Sequence, residues 1–176
     1  EEQLASVDSG FGGWSEVDPE DVLITPVVSS DEGTVAVVTL VGTTEIDGEA
    51  QHRADAFPVR IIDGDVVLEP FARAGELELV VPEPIESGGT RPSVEHGEEL
   101  VIVVPEGVDA PILRLDDGDT VVCGQAEGTE LRVMDELPTQ RCSYLPTAGI
   151  AAGEHTLTVA FVGADGSSIS AEALLF

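Results

Sequence analysis

The chain has 176 residues, 42% of them hydrophobic, and a formal net charge of −28 from 35 acidic and 7 basic side chains. That length suits one large domain or two small ones, and the apolar content supports a packed core where a disordered acidic tail would lack Val, Ile and Leu. The charge excludes a nucleic acid partner, because no basic stripe offsets phosphate repulsion, and it disfavours anionic membrane surfaces for the same reason.

All seven basic residues are Arg; Lys and Asn are absent. The acidity reads as base-composition bias, since Lys and Asn have AT-rich codons, or as adaptation to high salt or cation binding. No run of 18 or more apolar residues exists, so no transmembrane segment is expected. The start "EEQLASVDSG" has neither the basic residues nor the apolar run of a signal peptide. The first residue is not Met, which fits a processed or cloned piece of a secreted protein.

Glu1 to Val7 reads as one helical turn, ended by Gly10, Gly12 and Gly13. Trp14, the only Trp, reads as the cap of a core edge or as a ligand platform. From there the signal is β: Val-rich runs alternate with turn residues. Strands are expected at "DVLITPVV", "TVAVVTLVGTTEI", "AQHRADAFPVRII" and "DVVLEPF", joined by "SSDEG" and two Asp-Gly turns into an antiparallel meander. Asp-Gly tolerates the positive φ angles of a type I′ hairpin turn, so Asp47-Gly48, Asp63-Gly64, Asp117-Gly118 and Asp165-Gly166 each mark a hairpin. Val35, Val37, Thr39 and Val41 share one face while Ala36, Val38 and Leu40 share the other. Two apolar faces predict cover on more than one side.

Three prolines and two adjacent glycines in "VVPEPIESGGTRPSVEHGEEL" interrupt regular structure. The expected organisation is a β-sheet domain over 1–82, a stiff linker over 83–91 and a second domain over 92–176. In the second half, "SVEHG", "EELVIVVP", "PILRLDD", "TVVCG", "ELRVM", "RCSYL", "HTLTVAFVG" and "SISAEALLF" form a seven-strand pattern, the first two making one bent strand. Leu157, Val159 and Phe161 point one way and Thr156 and Thr158 the other. The fold class is therefore all-β, an antiparallel meander followed by a sandwich.

Gly153, the alternation from His155 to Phe161, and Asp165-Gly166 resemble the closing hairpin of bacterial immunoglobulin-like surface domains, over about residues 91–176. The antibody subtype departs from this pattern: no Trp lies between the cysteines, and Tyr144 follows the second cysteine instead of preceding it. The stretch from "GFGGWSEVDPEDVLITPV" to "FPVRIIDGDVVLEPF", about residues 11–71, resembles the terminal sheet of NTF2-like cone domains, though the helices that line such a cone are missing upstream. A complete cone would hold a small ligand, but without its helices the resemblance carries over no ligand site; the candidate pocket lies instead between the first sheet and its cover, lined by Trp14, Phe57 and Phe71.

Catalysis is not expected. His52, His96 and His155 stand in no catalytic motif, and neither G-x-S-x-G nor a phosphate loop is present. One Trp and one Tyr provide too few platforms for a glycosidase. No cofactor is expected, with calcium at Asp116, Asp117 and Asp119 of "LDDGDT" as the exception to test, although the stretch also explains itself as a hairpin turn. Cys123 and Cys142 lack zinc spacing and a helix N-terminus that would favour thiolate. They read as a disulfide closing a loop of about 20 residues, which would stabilise the chain by about 3 kcal/mol, with two buried thiols as the rival. The expected role is a non-catalytic extracytoplasmic module, secreted or anchored at a bacterial surface as a lipoprotein would be, that meets a protein partner. A ligand-binding pocket and a filament subunit, paired through the strand "SISAEALLF", are the alternatives.

Overall fold

The structure, a computed structural model, describes residues 14, 19–31, 33–46, 48–68, 71–81, 92–135 and 137–176. The expected helical turn at Glu1 to Val7 and the expected linker at 83–91 lie outside these residues. The strands are β1 (Asp21–Ser30), β2 (Gly33–Ile46), β3 (Glu49–Ile62), β4 (Asp65–Val67), β5 (Glu78–Val81), β6 (Leu100–Pro105), β7 (Ile112–Leu115), β8 (Val121–Val122), β9 (Thr129–Val133), β10 (Thr139–Tyr144), β11 (Thr156–Val162) and β12 (Ile169–Leu175). The fold is all-β and its strand pairs are antiparallel, as the period-2 pattern required.

The first sheet is the expected meander, in the order β1-β2-β3-β4. At the β3–β4 turn Asp63 and Gly64 have φ of 53° and 88°, the two positive angles that a type I′ turn demands. The other Asp-Gly pairs also lie between paired strands, but the backbone solves two of them differently. Asp116, not Asp117, takes the positive φ, 52°, between β7 and β8; between β11 and β12 Gly166 does so and Asp165 does not. The strand expected over 65–71 is shorter than its pattern. β4 ends at Val67, and Phe71 leaves the ladder to pack beside Val37, Ala160 and Ile169. "SVEHG" is a turn instead of a strand: the Glu98 N–H donates to the Glu95 carbonyl, and the Glu95 N–H donates to the Glu98 carboxylate. A segment that bonds to itself in this way offers little to a neighbouring ladder.

Eight strands build two further sheets, an outer one in the order β5-β6-β10-β9 and a middle one in the order β12-β11-β7-β8. β5 was not expected. It lies before residue 82, yet it pairs with β6, Leu79 opposite Ile102, and buries Leu79 in the core between these two sheets. The crossing from the first sheet to the outer sheet therefore happens upstream of the Pro-rich stretch, because Leu77 and Leu79 find their apolar partners there.

The three sheets stack. Leu100, Ile102 and Val104 of the outer sheet meet Leu113, Leu157, Val159 and Phe161 of the middle sheet, all fully buried. Each large side chain removed from water in this way contributes about 1.5–3 kcal/mol. The opposite face of the middle sheet is covered by the first sheet. Val37 meets Ala160 and Ile169, Val41 and Ala54 meet Leu175, and the hydroxyls of Thr39 and Thr158 lie 2.8 Å apart in a buried hydrogen bond. All seven residues of β11 are buried. The alternation of apolar residues with Thr in "TLTVAFV" thus separates two interfaces instead of separating core from solvent. The Thr side is lined by small residues, Ala54, Ala56, Ala160, Ala171 and Ala173, which suits close approach of two sheets.

Two sheet edges are restricted. On β1, Pro26 supplies no N–H and a register shift follows it at Val28. On β12, the Ile169 N–H donates to the Ala72 carbonyl, and Ser170 Oγ accepts from the Gly75 N–H and donates to the Gly75 carbonyl.

Candidate functional site

The hairpin of β9 and β10 carries the side-chain arrangement that points outward with most chemical content. Cys142 lies in the middle of β10 and is fully buried; Cys123 follows β8 and is 1% exposed. They form a disulfide that ties the end of a middle-sheet strand to the outer sheet. Because strand side chains alternate, an inward Cys142 forces Arg141 and Ser143 outward. The register then sets Arg141 opposite Arg132 and Ser143 opposite Glu130. Arg132 donates Nε–H to Glu130 Oε1 at 2.7 Å and Nη2–H to Oε2 at 2.9 Å. These bonds hold the Glu130 carboxyl below the usual carboxylate range and raise Arg132 above its own. Glu99, Glu130, Arg132, Arg141 and Ser143 line a shallow cavity of about 170 Å³.

At the tip of the same hairpin Val133, Met134 and Leu137 are 58%, 37% and 58% exposed. The tip is held by backbone bonds, Met134 N–H to the Thr139 carbonyl and Glu106 N–H to the Pro138 carbonyl. The free side of β9 is covered at its start by the turn after β8. The Gly124 N–H donates to Thr129 Oγ1, whose own proton goes to the Ala126 carbonyl. Gly124 has φ of 77°, and a Cβ there would stand 3.0 Å from the Leu131 Cβ, so the turn can press this close only with Gly.

The structure distributes the other candidate residues differently. Trp14 lies on the outward face of the first sheet, its ring over Gly42 and its indole N–H donating to Asp55 Oδ2 at 2.5 Å. Phe57, paired with Val38, shares that face, whereas Phe71 is on the opposite side against the middle sheet. The three aromatic residues therefore do not line one pocket. Asp116, Asp117 and Asp119 do not form a calcium ligand set either. Asp116 Oδ1 accepts from the Thr156 N–H at 2.8 Å, and Oδ2 pairs with His155 Nδ1 at 2.7 Å. Arg114 binds the carbonyls of Asp117 and Gly118, closing "LDDGDT" as a turn. Among the described residues no group of three His, Cys, Asp or Glu could hold a metal ion.

Two histidines serve as ties between sheets and loops. His52 reaches Thr43 Oγ1 at 3.2 Å through Nδ1 and Glu154 at 3.0 Å through Nε2. This hydroxyl–imidazole–carboxylate order resembles a catalytic relay, but the Thr43 hydroxyl donates its proton to Glu20 and joins strand to loop. His155 is 12% exposed and points both ring nitrogens at acceptors, Asp116 Oδ2 and the Ala151 carbonyl. Burial opposes its charge, but the two hydrogen bonds and the Asp116 carboxylate prevail and raise its pKa above 6.5. His96 lies beside Gly149.

The two cysteines stand out in the sequence, whereas the pair Arg132 and Arg141 does not. Nine positions separate these arginines, and only the hairpin register brings them together.

Fold and face together define an all-β chain with three stacked sheets and a disulfide-stapled, outward-facing hairpin, and among the described residues no helix is long and apolar enough to cross a membrane. Comparison with family models, curated proteins and solved structures gave no match.

Proposed function

We propose that this chain is a non-catalytic, extracytoplasmic module of a bacterial surface or secreted protein, and that it meets a protein partner through the β9–β10 face. The observation that carries the reading is the combination on one stapled hairpin of exposed Met134 and Leu137 at its tip with the outward Arg132 and Arg141; Val133, also exposed, lies at the same tip on the opposite side of the strand. Met and Arg are enriched in protein interfaces, and a face ordered in advance loses less entropy on binding. The disulfide favours an oxidising compartment.

An immunoglobulin-like architecture for the outer and middle sheets belongs to the same proposal. The orders β5-β6-β10-β9 and β12-β11-β7-β8 correspond to the ABED and C′CFG arrangement of that sandwich, with the staple in a different place from the antibody B–F bridge. The pocket alternative loses support because Trp14 and Phe71 lie on opposite faces of the first sheet, and the filament alternative because the β1 edge is interrupted at Pro26 and the start of the β12 edge, at Ile169 and Ser170, is bonded to the segment of Ala72 and Gly75.

The test is photo-cross-linking in the cells that make the protein, with a photoreactive phenylalanine analogue at Leu137 or, as a control, at the exposed Glu49. The reading expects one protein adduct at the cell surface from position 137, absent from position 49 and lost when Val133 and Met134 are replaced by Ser. Equal adducts from both positions, or none from 137, would overturn it.

A further inference from the structure

We propose that the cavity between Arg132 and Arg141 is a subsite for a carboxylate, carried by an acidic side chain of the protein partner. The inference rests on the contact-face reading above and adds the chemistry of what is bound there.

The case starts from the other arginines. Arg53 pairs with Asp55, Arg73 with Glu172 and the Gly75 carbonyl, Arg114 with three carbonyls and Arg132 with Glu130; Arg60 is engaged as well. Arg141 alone among the described arginines makes no hydrogen bond or ion pair with the described residues, in a chain with 35 acidic side chains. It stands directly across the ladder from a second Arg, a like-charge pairing that costs stability unless an anion lies between. Glu130 hydrogen-bonds to Arg132 alone, through Nε and Nη2, and reaches Arg141 only by its longer-range charge. Arg132 Nη1, the Arg141 guanidinium and the Ser143 hydroxyl remain as donors around one cavity.

The ligand class follows from shape and charge. A planar guanidinium matches a carboxylate with two parallel hydrogen bonds. The cavity, about 170 Å³, has room for such a group at the end of a side chain. Glu99 and Glu130 at its rim weigh against a doubly charged phosphate and accept a singly charged group more readily. The chain's net charge does not forbid the contact, because charges beyond about 8 Å are largely screened at physiological ionic strength.

The experiment follows the arginine Nε–Hε signals of the intact, oxidised chain by NMR at constant ionic strength, titrated with acetyl-Glu-Glu-amide and with its Gln-Gln counterpart. The Glu peptide is expected to move the Arg141 and Arg132 signals to saturation while the exposed Arg73 stays in place, and the Gln peptide to move neither. Arg141→Gln, read at Arg132, should weaken binding by about 10-fold or more, the loss of a charge-assisted hydrogen bond. Glu99→Gln should tighten it. Equal, unsaturating shifts at Arg73 and Arg141, equal response to both peptides, or unchanged affinity in a folded Arg141→Gln variant would overturn the subsite. If that happens while position 137 still gives its specific adduct, the subsite falls and the contact face stands.

Discussion

Replacing Thr158 by Val tests the stacking of the first sheet on the middle one. Thr39 and Thr158 are 0% and 1% exposed, and their hydroxyls share one hydrogen bond at 2.8 Å. Val keeps the shape of Thr, so the substitution leaves packing nearly intact and strands the Thr39 hydroxyl without its partner. A buried polar group in that position costs about 1–3 kcal/mol, here about 2. For a chain of this length that corresponds to a fall in Tm of about 4–8 °C. Thr39→Val should cost a similar amount for the mirrored reason. The double variant removes both hydroxyls and leaves two methyl groups in contact, so it should recover most of the loss. The assay is urea unfolding followed by the fluorescence of Trp14, which sits on the far face of the first sheet. If the sheets form one stack, a substitution in β11 must move the Trp14 transition. Neutral single variants, a double variant equal to the sum of the two, or a Trp14 transition that ignores Thr158→Val would each refute the reasoning.

Removing the disulfide with Cys123→Ala and Cys142→Ala together should cost about 3 kcal/mol in the chain-entropy account, for a sequence separation of 19, read as a lower urea midpoint. His155 has a raised pKa in the fold, so its contribution is complete below the unfolded value of 6.5 and is lost as pH rises through the folded value. The stability gap between the native chain and His155→Gln should therefore be wide at pH 5.5 and narrow at pH 9, and a gap that widens with pH would contradict this. Gly128→Ala should destabilise by at least about 1 kcal/mol, because φ is 78° and the new Cβ would stand 2.2 Å from the Leu145 carbonyl oxygen; calorimetry gives the answer directly.

Much of the fold was legible because strand signals are local. Val-rich runs, Asp-Gly turns and the final alternating hairpin placed the meander and most strands of the other two sheets. What escaped was decided by partners distant in sequence. β5 has only four residues, and it becomes a strand because Leu79 finds Ile102. Alternation sets Thr156 and Thr158 opposite Leu157, Val159 and Phe161 but leaves the environment of that row open, since Thr suits either; a second sheet over them makes them core. Of the site residues, the cysteines were visible as a pair in a chain with no other cysteine. Trp14, Phe57 and Phe71 suggested a pocket by residue type, but period-2 alternation and the exit of Phe71 from its strand put them on different faces. The acidic loop suggested calcium until His155 and the Thr156 N–H were found holding Asp116. Arg132 and Arg141 gave no local signal, because a cross-strand pair exists only once the register is known.

The claim that organises this account is that the staple fixes the shape of the β9–β10 face. Amide hydrogen exchange measures it directly, comparing the oxidised chain with the variant carrying Ala at both cysteine positions. In the oxidised chain the ladder amides of Arg132 and Arg141 to Ser143 should be protected. Without the staple they should exchange about 10-fold faster or more, while those of β11, enclosed between two sheets, keep their order as the slowest. Unchanged exchange in the hairpin, or acceleration spread evenly over all three sheets, would contradict the claim.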